Sequence, residues 1–304
     1  MASLYTHQDS NIWKTWALMG IFFAIVVGFG YVISLYYGNP SLLFIAVIIA
    51  VLTNIFSYWY SDKLVLAISG AKPAEEAQYR ELHRVVENLA ITAVLPKPRL
   101  YVINDPAPNA FATGRNKERA VVAVTTGLLS MMEKAELEGI IAHELSHIGN
   151  RDMLVMTVVV VLAGFVTLLS DFFLRMSLFG GRGNRDNKAG AIMAVIAIVL
   201  AILAPIIATL IRLAVSRKRE FLADASGALL TRYPEALASA LAKLGSYKAP
   251  MQKANHATAH LFISNPFGAQ ALKGVGALFM THPPIEERIR ALTDGRLPQK
   301  EKTG

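Results

Sequence analysis

The 304 residues include no cysteine. Thiolate ligands, which close many structural zinc sites, are thereby excluded, and the absence suits a reducing compartment. Charged residues are missing from four long stretches: Thr15–Tyr37 with 23 residues, Ser41–Ser61 with 21, Met153–Ser170 with 18 and Ala189–Ile211 with 23. A hydrocarbon core about 30 Å thick takes roughly 20 helical residues, so the first, second and fourth stretches are expected to span a membrane. The third is short enough to be either a span or a buried helix. No small-residue cleavage site follows the first stretch, and its length also argues against a signal peptide. Transport sites place ionisable residues inside their spans, so the lack of them here argues against a metal transporter. No strand precedes the glycines of FGGRGNRDNKAG at 179–190, which excludes a dinucleotide-binding fingerprint.

Hydrophobic residues make up 54% of the chain, high for a soluble enzyme and accounted for by the four apolar stretches. Trp13, Trp16, Tyr36, Tyr37, Tyr58, Trp59 and Tyr60 gather at the ends of the first two, where interfacial aromatics anchor spanning helices. The net charge of +8 does not read as a nucleic-acid surface, because 62–152 is nearly balanced, with 11 basic and 12 acidic residues. The excess sits in 212–304, with 14 basic against 7 acidic, and Arg212, Arg217, Lys218 and Arg219 cluster just after the fourth stretch. Lys14, Lys63 and Arg151 flank the other stretches on the same side, and the Gly38–Pro40 turn is uncharged. The positive-inside rule then puts both termini in the cytoplasm, against a weak opposing bias from the 171–188 loop, with its four basic and two acidic residues.

Chemistry concentrates in two short motifs. HELSH occupies 143–147, and EFLAD begins 73 residues after His147, at Glu220. Histidines at i and i+4 point the same way from a helix, so His143 and His147 can share one zinc ion, with Glu144 beside them to act on a zinc-bound water. Glu220 supplies a third ligand of the oxygen type. Three protein ligands and an open position make the pattern of a catalytic zinc, one ion per chain. A bare HExxH arises by chance in many helices, but Leu137, Ile140, Ile141, Leu145 and Ile148 give this one helical periodicity. The apolar side is expected in a core and the histidine side at a cleft. Asp224 lies one turn beyond Glu220 and can accept the second ring proton of a zinc histidine. The competing reading of these two acids is a solvated edge beside Arg217–Arg219. HATAH at 256–260 repeats the histidine spacing without an internal glutamate and reads as satisfied surface or loop histidines.

Around these motifs the chain alternates helix and short strand. Residues 73–93 read as a helix with Pro73 near its start, broken by Pro96 and Pro98. Leu100–Ile103 and Ala120–Thr125 are β-type runs, and NAFATG at 109–114 is an edge strand or a turn. His282, in THPP, is either a loop histidine locked by Pro283 or a group that stabilises an oxyanion. Arg288 can equally be a salt-bridge residue of the helix IEERIRAL.

With HELSH, EFLAD, the four apolar stretches and THPP in this order, the chain closely resembles the HtpX family of membrane-embedded zinc metalloproteases, related to the CAAX prenyl proteases. That resemblance implies a mainly α integral membrane protein with a helix-rich α+β gluzincin-like peptidase domain and a small sheet. The expected layout is a transmembrane pair over 1–61, a first catalytic part over 62–152, a second apolar hairpin over 153–211 and a second catalytic part over 212–304. It implies His143, His147 and Glu220 as zinc ligands, Glu144 as general base and Asp224 as partner to a ligand histidine. Asn109 and Ala110 are implied to meet an extended substrate, and His282 with Arg288 to steady the tetrahedral intermediate. The implied activity is degradation of misfolded or damaged membrane proteins at the cytoplasmic face of the bacterial inner membrane. A CAAX-type processing enzyme shares such a site but is expected to enclose it in more than four spans.

Overall fold

The computed structural model describes residues 4–162, 164–165, 217–255, 258–268 and 283–293. The fourth apolar stretch, the 171–188 loop, His256 and His282 lie outside the described residues.

Two long helices come first, α1 (Leu4–Tyr37) and α2 (Ser41–Ser69), joined by a tight turn. Gly38 makes the turn at φ +61°, with its N–H bonded to Leu35 O, and Gly30 of α1 lets Ala46 of α2 approach closely. Within them Asn11–Leu35 and Ser41–Ser69 are long and apolar enough to cross a membrane. Both helices outrun the uncharged stretches, and α2 continues through Asp62 and Lys63. Phe44, Ile48, Leu52 and Leu35 are exposed, as lipid-facing side chains are.

Gly70 ends α2 in the left-handed region at φ +66° and turns the chain into a sheet. Strand β1 (Lys72–Pro73) pairs antiparallel with β2 (Arg99–Ile103), and Ala74 N–H extends the ladder to Leu100 O. The helix expected to begin near Pro73 therefore starts only at Arg80: this ladder holds 72–74 extended, and α3 spans Arg80–Thr92. Its Leu82, Val85, Val86 and Leu89 form one buried face. β2 runs parallel to β4 (Val121–Thr125), and β3 (Ala110–Thr113) pairs antiparallel with β4, giving the order β1-β2-β4-β3. NAFATG thus holds an edge strand.

Helix α4 (Thr126–Met131) is capped by Thr125 and leads to α5 (Lys134–Gly149), which carries HELSH. Glu133 and Glu136 form a reciprocal capping box at the start of α5. Glu136 also accepts from Ser239 Oγ at 2.7 Å and Lys243 Nζ at 2.6 Å, pinning α5 to a later helix. Burial favours the neutral acid there, but these donors outweigh it and hold the carboxyl below its ordinary pKa. The amphipathic expectation for α5 needs correction. Residues on both its faces are buried, because α3, β3 and two later helices surround it. Those helices are α7 (Arg217–Thr231) and α8 (Pro234–Ser246), and α9 (Ile285–Thr293) packs on both.

Nor does α5 run on into the third apolar stretch. After Asn150 and Arg151, the latter at φ +58°, helix α6 (Asp152–Leu162) leaves at 83° to α5. Its side chains are buried rather than lipid-facing. Val155, Val159 and Val160 share a cluster with Leu18 of α1, Val65 of α2 and Phe111, Val121 and Ala123 of the sheet. One apolar core therefore runs from the α1–α2 hairpin into the four-stranded sheet.

Candidate metal centre

His143 and His147 stack one turn apart on α5, with their Nε2 atoms 3.2 Å apart. Helix α7 brings Glu220 against them, Oε1 3.5 Å from His147 Nε2 and Oε2 3.9 Å from His143 Nε2. One ligand atom from each of the three residues lies within 4.8 Å of the others, and all three side chains are buried. Two nitrogens each about 2.0–2.1 Å from a tetrahedral ion stand roughly 3.3 Å apart, so the histidine pair fits such an ion.

The far nitrogens of both rings are occupied. His143 Nδ1 lies 2.9 Å from Asp224 Oδ1, and His147 Nδ1 lies 3.2 Å from Asp152 Oδ2. Each carboxylate fixes the ring proton on Nδ1 and leaves the Nε2 lone pair facing the shared point. Asp224 is itself gripped by Arg288, Nε to Oδ2 at 2.8 Å and Nη2 to Oδ1 at 2.7 Å, a bidentate pair. Burial favours the neutral acid, but Arg288 outweighs it and holds Asp224 down at about 2. The 3.4 Å approach of Arg288 Nη2 to His143 Nδ1 is two donors converging on one oxygen, not a bond between them. Arg288 Nη1 donates to Ile263 O at 3.2 Å and lies 3.7 Å from Glu220 Oε2.

Charge decides what the pocket wants. Four carboxylates, Glu144, Asp152, Glu220 and Asp224, are buried there and face two guanidinium groups, Arg219 and Arg288. With neutral histidines and Glu144 ionised, that leaves two negative charges uncompensated in a low-dielectric interior, the deficit a divalent cation fills. A proton on His147 competes with a cation for that charge: burial lowers its pKa, but Asp152, Glu220 and Glu144 outweigh that and lift it to about 9, so a bound metal displaces this proton. His143, with the cation Arg288 nearby, is instead lowered by burial.

Glu144 stands outside the ligand cluster. Burial, with Glu220 adding, pushes its pKa up to about 7, while its carboxyl takes a hydrogen bond from the Ala112 backbone of β3. Asn109 and Ala110, the expected substrate contacts, are already engaged. Asn109 Oδ1 accepts from Ala110 N and Ser264 N, its Nδ2 donates to Ser264 O at 2.9 Å, and Ala110 O accepts from Ile263 N at 2.9 Å. Ala112 presents its backbone to the same edge two residues on.

The structure brings His143, His147, Glu220, Glu144 and Asp224, the residues expected at the site, together with Arg288. Asp152 was not among the expected residues, and it reaches His147 because the chain bends by 83° at Asn150–Arg151. The GN pair at 149–150, one residue beyond HELSH, is a helix-ending signal and was the available clue. His260 is satisfied as expected, with Nε2 3.0 Å from Met156 O, but it is buried in the core rather than on the surface.

Comparison with known proteins now decides the family. The model of peptidase family M48 matches residues 76–295. The chain belongs to peptidase family M48. A protein from Caldanaerobacter subterraneus subsp. tengcongensis, described as a protease HtpX homolog, is 48% identical over 296 residues, covering 95% of this chain and 97% of the relative. A protease HtpX homolog of Pyrococcus furiosus is also 48% identical, over 288 residues, covering 93% of this chain and 95% of the relative. The fold is like that of S. mikatae Ste24p, with a TM-score of 0.50 at 18% identity, covering 92% of this chain and 66% of that one. This M48 protein is therefore an HtpX-type membrane metallopeptidase, and the His143–His147–Glu220 cluster suits the metal that its family implies.

The M48 centre depends on a close helix contact. A Cβ on Gly227 of α7 would lie 3.0 Å from His143 N and 3.2 Å from Ala142 C, both backbone atoms of α5. Because α7 also carries Glu220 and Asp224, a Gly227→Ala substitution must push the third ligand away from the histidines. The expected cost is about 1–3 kcal/mol of stability, with weaker metal retention. Metal per chain after dialysis against a chelator, together with thermal unfolding, measures both effects. Gly245→Ala, whose Cβ would meet only the Ile285 side chain at 3.3 Å or beyond, should behave as wild type. A Gly227→Ala protein that keeps its metal would show that the contact does not set the site.

Proposed function

We propose that this metallopeptidase is a zinc-dependent endopeptidase that cleaves misfolded or damaged membrane proteins at the cytoplasmic face of the bacterial inner membrane. The observation that carries the reading is geometric: the buried carboxyl of Glu144 adjoins a buried two-histidine, one-glutamate donor set whose ligand atoms lie within 4.8 Å of one another. That donor set, with no thiolate, suits a catalytic zinc with an open position. Zinc held there supplies Lewis acidity to a water and to the scissile carbonyl.

The remaining steps belong to the chain's own side chains. Glu144, with a pKa near neutrality, takes a proton from the attacking water and returns it to the leaving amine. The Ala112 N–H holds the Glu144 carboxyl beside the β3 edge, so an extended substrate on that edge meets the proton acceptor directly. Asp224 and Asp152 keep the histidine rings oriented, and we assign Arg288 to holding Asp224 and His143, since its Nε and Nη2 face Asp224 and its Nη1 the Ile263 carbonyl. His282 is assigned to the developing oxyanion, a role that rests on the family resemblance. Support for membrane-protein substrates comes from the shared core of α6 with α1 and α2, which keeps the site next to the bilayer.

Glu144→Gln is expected to abolish proteolysis while zinc stays bound, because the glutamate moves protons and is not a ligand. Casein cleavage and zinc content are measured on the same purified sample, and loss of both together would make Glu144 a ligand instead. Orientation has its own test, which the cysteine-free chain makes clean. Asn39→Cys should react with an impermeant thiol reagent in cells with a permeabilised outer membrane, and Ser246→Cys only after lysis. The reverse pattern would turn the domain to the other face.

A further inference from the structure

Asn11 lies in the α1 membrane helix, four residues before the first uncharged stretch, and is only 4% exposed. Its amide is fully engaged. Nδ2 donates to Asp152 Oδ1 at 2.7 Å and to Asn150 O at 3.1 Å, while Oδ1 accepts from Arg219 Nη1 at 3.2 Å. Those three partners surround the ligands: Asn150 caps the end of the ligand helix α5, Asp152 opens α6, and Arg219 directly precedes Glu220. We propose that Asn11 is a positioning residue of the metal centre, holding Asp152 so that its other oxygen faces His147 Nδ1, and thereby making the membrane helix part of the site. This inference rests on the metal-centre reading above.

The geometry of one carboxylate carries the argument. Asp152 has two oxygens, one for Asn11 and one for His147, and they turn together about a single bond. Arg219 Nε stands 3.7 Å from Oδ1, beyond a hydrogen bond, so Asn11 is the group that fixes the orientation. Without the amide, the carboxylate is drawn toward Arg219, and Oδ2 leaves His147 Nδ1, already 3.2 Å away. His147 then loses the partner that fixes its tautomer and aims its Nε2. Asn11 would act on the metal through Asp152 alone, at the loss typical of such outer partners, about 10–100-fold in affinity.

The test uses the full-length protein in detergent and reads zinc affinity by competition with a chelating dye, alongside thermal unfolding of the metal-free form. Asn11→Ala, and Asn11→Leu, which keeps the volume and the packing, should each bind zinc about tenfold more weakly while still unfolding cooperatively. Thr15→Val should keep wild-type affinity, since that buried hydroxyl one turn on donates to Asn11 O at 2.9 Å and, among the described residues, touches none of the metal-centre side chains. In an Asp152→Ala background, Asn11→Ala should add nothing further. Wild-type affinity in folded Asn11→Leu would overturn the proposal, as would an equal loss in Thr15→Val or a loss that adds in full to that of Asp152→Ala. Wild-type protein that binds no zinc at all would instead sink the metal-centre reading.

Discussion

Two buried aspartates, each gripping the outer nitrogen of a ligand histidine, organise the rest of this structure. Asp224 and Asp152 come from different helices and approach the HELSH helix from different sides. Between them they turn two neutral imidazoles into a pair of lone pairs aimed at one point. Burying carboxylates is costly unless they are paired, and the chain meets that cost with Arg288 on one side and with Asn11 and Arg219 on the other. The remaining negative charge is the driving force for a divalent cation.

Packing keeps the arrangement in register. Gly227 lets α7 lie against the backbone of α5, and Gly139 does the same for α8 at Leu237, so the third ligand and its neighbours sit at a fixed depth. The 83° bend between α5 and α6 has two effects at once. It folds Asp152 back onto His147, and it sends α6 into the core shared with the membrane hairpin. Metal centre and membrane helices are thus built as one unit, which fits an enzyme working on chains that leave the bilayer.

The parts of the site that follow helical periodicity were legible in the sequence. His143 with His147, and Glu220 with Asp224, are pairs one turn apart, and that spacing alone puts each on a common face. The strands around NAFATG were legible as short β-type runs. What could not be read depended on the chain doubling back. Asp152 needs the left-handed Arg151, and Asn11 meets Arg219 across 208 residues. β1 is two residues long, too short for periodicity to show, and it displaced the expected start of α3. The HELSH helix looked amphipathic because its polar face, His143, Glu144 and His147, is buried against Glu220, Asp224 and Asp152 rather than against apolar residues. Asn109, expected at the substrate, has an amide that holds Ser264, a contact across 155 residues that no local pattern signals.

The central claim is a centre made of two imidazoles and one carboxylate, with no sulfur. X-ray absorption at the zinc edge of the full-length, zinc-loaded protein tests it most directly. The account predicts a four-coordinate shell of nitrogen and oxygen at about 2.0–2.1 Å, with the outer scattering of two imidazole rings, falling to one ring in His147→Ala. A six-coordinate shell, or ring scattering unchanged by that substitution, would contradict it.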